Sequence, residues 1–237
     1  MKKSQFVSLV AVFAALNVVC DVIILPQLSS GVWYGLVFLI VPLTGIALGP
    51  YAGFLSTLIG VMVGHTILPR GVEEYLFTLG APIGAMMSGL SFRRQWKPVV
   101  IYYTVLLASY FITPISWQLP LWGMWDVYGA FLMLLIVVLF AYRRGRWRTR
   151  LKTPFLLTLS AFVGLEADIL FRIFVFIPGQ TYQSIYGLPV EWLQVIWVAG
   201  AFITPFKVAV SAIVTSLLGT RLLKVLNAHR SKENTSI

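Results

Sequence analysis

Most of the positively charged residues of this chain fall into four short basic blocks, separated by apolar runs long enough to cross a lipid bilayer. The blocks contain residues 2–3, 93–97, 143–152 and 221 onward, and four, two and two apolar runs lie between consecutive blocks. Lysine and arginine accumulate in the cytoplasmic loops of membrane proteins, so an even number of crossings places all four blocks on one side. The pattern therefore predicts a polytopic membrane protein with both termini in the cytoplasm.

The composition leaves little material for a water-soluble domain. Hydrophobic residues make up 59% of the chain and charged residues 11%, whereas about a quarter of the residues of a soluble domain are charged. The chain has a net charge of +10, and its basic residues lie mostly between apolar runs. Since no nucleic-acid recognition motif accompanies them, we predict the lipid bilayer as a partner and not nucleic acid. Cys20 is the one cysteine, which excludes an intrachain disulfide and argues against a cysteine-based metal site.

Eight apolar segments are predicted to be helical, because a segment in hydrocarbon must satisfy its own backbone hydrogen bonds. They cover residues 6–25, 33–48, 51–68, 75–92, 98–116, 124–142, 154–177 and 192–226. Only Gly49 and Pro50 separate the short second segment from the third, so this pair is either two spans or a tilted or re-entrant hairpin. The predicted fold class is an all-α transmembrane bundle of six to eight helices.

The eighth segment is too long for one crossing and contains Pro205, which predicts a kink and a helical extension into the cytoplasm. We predict a single transmembrane domain over residues 1–227, followed by a polar, frayed cytoplasmic tail over residues 228–237.

Three ionisable residues of the seventh segment, Glu166, Asp168 and Arg172, fall within or near the hydrocarbon, where such groups are costly and commonly functional. Asp168 and Arg172 are four residues apart on one helix face and can pair. Glu166 points about 200° away from Asp168 around the helix and needs another partner, such as Lys207 or a ligand. A structural ion pair and a ligand-binding or coupling role both remain open.

Other polar and aromatic residues are predicted to lie toward the outer ends of the helices. Asn17 and Asp21 are one turn apart in the first segment, and His65 has a similar depth in the third. A lone membrane histidine is typical of a hydrogen bond between helices, and no second membrane histidine is available for a metal site. Outer tryptophans fit an interfacial belt or a ligand pocket. The predicted substrate-binding residues are Asn17, Asp21, Trp33, His65, Trp125, Glu166, Asp168 and Arg172.

Several catalytic motifs are absent from the sequence. It contains no phosphate loop of the Gly-x-x-x-x-Gly-Lys-Ser/Thr type, no Gly-x-Ser-x-Gly elbow and no His-Glu-x-x-His zinc helix. We therefore predict no enzyme activity, no catalytic residue, no cofactor and no metal site, and any pumping needs an energy source outside this chain.

Two short motifs carry a family resemblance. Residues 11–16 read Ala-Val-Phe-Ala-Ala-Leu, an AxxxA pattern with Ala11 and Ala15 at its ends, and residues 48–55 read Leu-Gly-Pro-Tyr-Ala-Gly-Phe-Leu. Over this first third the chain resembles the substrate-binding S component of energy-coupling factor transporters. The resemblance implies a pocket near the outer face for a vitamin or metal ion, and six helices where eight segments are counted. It also implies that Ala11 and Ala15 dock onto a membrane-embedded coupling subunit, while cytoplasmic ATPase subunits supply energy.

The leading hypothesis is a substrate-binding subunit of an ATP-driven importer in the plasma membrane, specific for a vitamin or similar small nutrient. A second hypothesis is a standalone secondary carrier that uses Glu166 or Asp168 as its proton site. A third is a structural or assembly subunit that binds no ligand.

Overall fold

The computed structural model describes residues 3–25, 34–69, 71–119, 125–142, 152–200 and 203–234. Over these residues the chain is a helical bundle with one two-residue antiparallel strand pair, β1 (Ile24–Leu25) with β2 (Tyr34–Gly35). The helices are α1 (Lys3–Val22), α2 (Val41–Leu48), α3 (Pro50–Ile67), α4 (Val72–Thr78), α5 (Gly80–Phe92), α6 (Trp96–Ile112), α7 (Trp125–Tyr142), α8 (Thr153–Phe176), α9 (Thr181–Ser184), α10 (Val190–Gly200) and α11 (Ile203–Asn234).

Five helical stretches are long and apolar enough to cross a membrane. Four are α1, α3, α7 and the first 24 residues of α11. The fifth begins at Glu74 in α4 and ends with α5 at Phe92. Only 17% of α1 and 22% of α7 is buried inside the bundle, so both helices expose mostly apolar side chains. Such surfaces are stable against lipid and unfavourable in water. The helices are therefore those expected of a multi-pass membrane protein.

Helix α8 is the central helix of the bundle and contacts α2, α5, α6, α7 and α11. Small residues allow the closest of these approaches, because a Cβ atom on Gly164 would come within 2.6 Å of the Gly84 carbonyl oxygen of α5. Neighbouring tyrosines attach α6, since the Tyr102 and Tyr103 hydroxyls donate to the α8 carbonyls of Ala167 and Val163. The three ionisable residues of α8 thus lie on a helix that packs against five others.

The second predicted segment does not form a full span. It consists of β2, a 3₁₀ turn at Leu36–Leu39 and the eight-residue helix α2. Such a helix is about 12 Å long, well short of a hydrocarbon core of about 30 Å. Gly49 ends α2 with a φ of 91°, and Pro50 begins α3 where its missing N–H is not required. The α2–α3 pair is therefore a buried short helix returning through a tight turn, in line with the re-entrant alternative.

The eighth predicted segment covers residues 192–226, and its predicted kink stays a prediction. The structure describes two helices, α10 and α11, with residues 201–202 between them outside the described part of the chain. Pro205 lies in the first turn of α11, a position that proline tolerates because the N–H groups there have no partner within the helix. The backbone of α11 continues to Asn234, so residues 228–234, which were predicted to fray, extend that helix.

Candidate functional site

A cavity of about 260 Å³ lies between helices from both halves of the chain. On α1, Asp21 is at the opposite end from Lys3, and on α11, Lys207 is at the opposite end from Arg221. We call the end that holds Asp21 and Lys207 the cavity end of the bundle, and the other the basic end. The charged residues that line the cavity are Asp21, Glu74, Asp126, Asp168, Arg172 and Lys207.

Asp21, His65 and Thr78 form a hydrogen-bonded chain across three helices. His65 Nδ1 lies 2.9 Å from Asp21 Oδ2 and 3.0 Å from the Val61 carbonyl oxygen. Both neighbours are acceptors, so Nδ1 carries a proton and donates to them. His65 Nε2 lies 2.6 Å from Thr78 Oγ1, and in the neutral ring it accepts the hydroxyl proton. His65 thus links α1 to α4 through hydrogen bonds between helices, as the sequence predicted for a lone membrane histidine.

Glycines on α3 make this contact possible. A Cβ atom on Gly64 would come within 2.8 Å of the Asp21 Cβ, and one on Gly60 would come within 2.8 Å of the Ala14 carbonyl oxygen. The four-residue spacing of these glycines therefore allows α1 and α3 to approach closely enough for His65 to reach Asp21.

Asp168 and Arg172 pair as their spacing predicts. Arg172 Nε donates to Asp168 Oδ1 at 2.7 Å, within one turn of α8. The Arg172 side chain borders the cavity and keeps 38% of its surface accessible, whereas Asp168 keeps 11%. Asp21 and Glu74 lie near enough to interact electrostatically with the same guanidinium group. Arg172 is therefore held by one direct partner and attracted by two further acids.

Asp126 and Lys207 lie near each other in the cavity wall. Asp126, in the first turn of α7, is within electrostatic reach of Lys207 and lies near the Thr204 hydroxyl. The Lys207 ammonium group also lies 5.5 Å from the centre of the Phe38 ring. These contacts bring the beginnings of α7 and α11 together at the cavity end.

Glu166 lies beside this wall but is not a lining residue. It is 7% exposed and its carboxyl group packs against Gly129 of α7, one turn beyond Asp126. Within the described part of the chain its Oε2 atom has no hydrogen-bond partner. The predicted contact between Glu166 and Lys207 is not among the interactions of the described residues, and the acids that act on Lys207 include Asp126 and Asp168.

The other predicted binding residues differ in their positions. Asn17 is fully buried between α1 and α2, where its Nδ2 atom donates to the carbonyl oxygen of Phe13 and to Thr44 Oγ1. It does not line the cavity, and these contacts assign it to helix packing. Trp125 is 54% exposed outside the cavity lining, and Trp33 lies outside the described residues.

Sequence reasoning missed Glu74, Thr78, Asp126 and Thr204 as cavity residues. The sequence predicted that Glu74 and Asp126 are solvated loop acids, because each lies at the edge of an apolar segment. Both acids were predicted to lie at the same end of the bundle, and this was the signal that could have indicated a shared site. Nothing local in the sequence distinguishes acids that point inward from those that face water.

Ala11 and Ala15 lie on an exposed face of α1. Apolar side chains continue this face, including Val12 at 53% and Val19 at 54% exposure. The two alanines therefore do not pack the interior of this chain.

No model of a known protein family matches the sequence, and no solved structure matches it. The chain is similar to an uncharacterized protein of Methanocaldococcus jannaschii, with 22% identity over 176 residues. The alignment covers 70% of this chain and 58% of the archaeal protein, so the chain spans less than two thirds of that relative's length. This similarity identifies no family and carries no functional assignment.

Proposed function

We propose that this protein is the substrate-binding membrane subunit of an ATP-driven importer of the energy-coupling factor type, for a vitamin or similar small nutrient. In this proposal the basic end and both termini face the cytoplasm across the plasma membrane, and the cavity end faces outward. The observation that carries the proposal is the cavity between the helices, which six charged side chains from five helices line. Ionisable groups within a membrane bundle are costly and mark ligand or ion pathways.

The exposed face of α1 supports a role for partner subunits. Small residues at Ala11 and Ala15 would let a helix of a coupling subunit approach the backbone closely. Since the sequence contains no phosphate loop, ATP hydrolysis in this proposal belongs to the cytoplasmic partners.

The test is affinity purification of the tagged chain from its native membrane in mild detergent, followed by mass spectrometry of the retained proteins. We expect a membrane coupling subunit and ATPase subunits to be recovered with it. A variant carrying Ala11→Leu and Ala15→Leu should lose these partners because the added side chains hold the partner helix away. Ala108→Leu, at an exposed alanine of α6, is the matched control and should retain them.

Recovery of the chain alone, under conditions that preserve known membrane complexes, would contradict the importer. Equal recovery of partners by the α1 variant and the α6 control would remove the docking role of Ala11 and Ala15 while leaving the importer in place.

One observation favours a second candidate, a proton-coupled carrier. The Oε2 atom of Glu166 is buried within α8 and has no hydrogen-bond partner in the described part of the chain. A carboxyl group in such a position can take up and release a proton. This candidate predicts uptake by the chain alone in vesicles with an imposed proton gradient, and loss of that uptake in Glu166→Gln.

A further inference from the structure

We infer that the cavity binds a small organic cation that also carries a carboxylate or similar oxygen acceptor, with the acceptor at Arg172 and the cationic group at Glu74 and Asp126. This inference rests on the proposed ligand-binding role and names the class of ligand.

The charge of the lining points to a cation. Four carboxylates and two basic side chains line the cavity, which leaves a formal excess of two negative charges when His65 is neutral. These four carboxylates are half of the eight acidic residues in a chain whose net charge is +10. A surplus of one sign among partly buried groups between helices is costly unless a group of the opposite sign offsets it. A cationic ligand supplies that group.

Two of the four acids are able to bind the cationic group of a ligand. Asp168 is engaged by Arg172, and Asp21 accepts from His65. The Glu74 carboxylate makes no hydrogen bond or ion pair with the residues described, although it lies within electrostatic reach of Arg172. Asp126 lies near the Thr204 hydroxyl, and its carboxylate has lone pairs for a further donor.

Arg172 supplies the opposite end of the site. Of its three guanidinium nitrogens only Nε donates within the described chain, to Asp168. The side chain is 38% accessible at the cavity wall, so the two terminal nitrogens remain as donors to a ligand. A guanidinium fork matches the two oxygens of a carboxylate.

The volume of the cavity and the separation of its acids further restrict the class of ligand. A cavity of about 260 Å³ lies just below the range of about 300–1,000 Å³ that is typical of pockets for drug-sized ligands, which favours a small molecule. The described residues contain no group of three His, Cys, Asp or Glu side chains placed to hold a metal ion. Separated acids and a guanidinium group favour an elongated organic ligand over a bare ion.

Three amino acids of similar length test the charge preference, because they share the α-carboxylate and differ at the side-chain end. L-lysine carries a net positive charge, L-norleucine is neutral overall and L-2-aminoadipate carries a net negative charge. Each is added at millimolar concentration to the purified full chain in phosphatidylcholine nanodiscs, and thermal unfolding is followed by tryptophan fluorescence. We expect lysine to raise Tm most, norleucine less and 2-aminoadipate not at all.

Variants of the acids connect this effect to the cavity. Asp126→Asn and Glu74→Gln should each weaken the apparent affinity for lysine by about tenfold, because each removes a charge-assisted hydrogen bond. Glu191→Gln changes an exposed acid outside the cavity and should leave the affinity unchanged. Two separate acid variants keep the test usable when one of them fails to fold.

The inference is overturned when 2-aminoadipate stabilises the chain as much as lysine does, or when lysine gives no stabilisation. It is also overturned when lysine stabilises both acid variants as well as it stabilises the unmodified chain. These outcomes leave the proposed importer untouched, because that proposal fails separately when the chain is recovered without a coupling subunit and ATPases.

Discussion

Replacing Asp168 by asparagine removes the charge of the direct partner of Arg172 while keeping the side chain's shape and an acceptor oxygen. Breaking a fully buried ion pair costs about 3–5 kcal/mol, because the remaining charge is left without compensation. Arg172 keeps 38% of its side-chain surface accessible at the cavity, so solvent there offsets part of the loss. The remaining amide oxygen still accepts from Nε. We therefore expect a destabilisation of about 1–2 kcal/mol.

This magnitude corresponds to a decrease in Tm of about 2–8 °C for a chain of this size. The assay is thermal unfolding of the purified protein in detergent, measured for Asp168→Asn, Arg172→Gln and the double variant. Because the two side chains are in contact, the double variant should lose less stability than the sum of the single variants, by about 1 kcal/mol. Glu191→Gln is the control for replacing an acid by its amide and should leave Tm unchanged.

Two results would refute this reasoning. Additive effects of the single variants would mean that the 2.7 Å contact contributes nothing to stability. A loss well above 4 kcal/mol in Asp168→Asn would mean that solvent in the cavity does not offset the unpaired charge of Arg172.

Two further predictions concern the packing of helices around the cavity. Gly164→Ala should destabilise the protein by about 1–3 kcal/mol, because its Cβ atom would overlap the backbone and side chains of α5. Gly219→Ala is the control, since its Cβ atom would meet only flexible leucine methyl groups at 3.1 Å or more, and thermal unfolding should separate the two. Thr78→Val should cost about 1 kcal/mol by removing the hydroxyl from His65 Nε2. Thr66→Val removes an exposed hydroxyl that bonds within its own helix, and an equal loss there would contradict the importance of the His65 contact.

The ligand inference and the two candidate functions predict different roles for the acids. In the importer, Glu74 and Asp126 bind the cationic end of a ligand, and their neutral variants should lose affinity. In the carrier, Glu166 holds a proton, and its neutral variant should lose coupling to the gradient while ligand affinity is retained. Measuring binding and gradient-driven uptake on the same variants therefore separates the two functions.

The sequence by itself determined the properties that depend on neighbouring residues along the chain. Hydropathy predicted α1, α3, α7 and α8 within a few residues of their ends, because the bilayer requires an apolar, internally hydrogen-bonded segment of defined length. Helix periodicity predicted the pairing of Asp168 with Arg172, since both partners belong to one helical turn.

Only the tertiary structure decided which helix faces meet. His65 reaches Asp21 across 44 residues of sequence, and Asp126 comes within electrostatic reach of Lys207 because the beginnings of α7 and α11 lie at the cavity end. Tertiary packing also made the second segment a short buried helix. Local hydropathy does not encode these contacts, because an acid that turns inward and one that faces water have the same sequence surroundings. The cavity arises from packing between distant segments, and so does the set of charged side chains that line it.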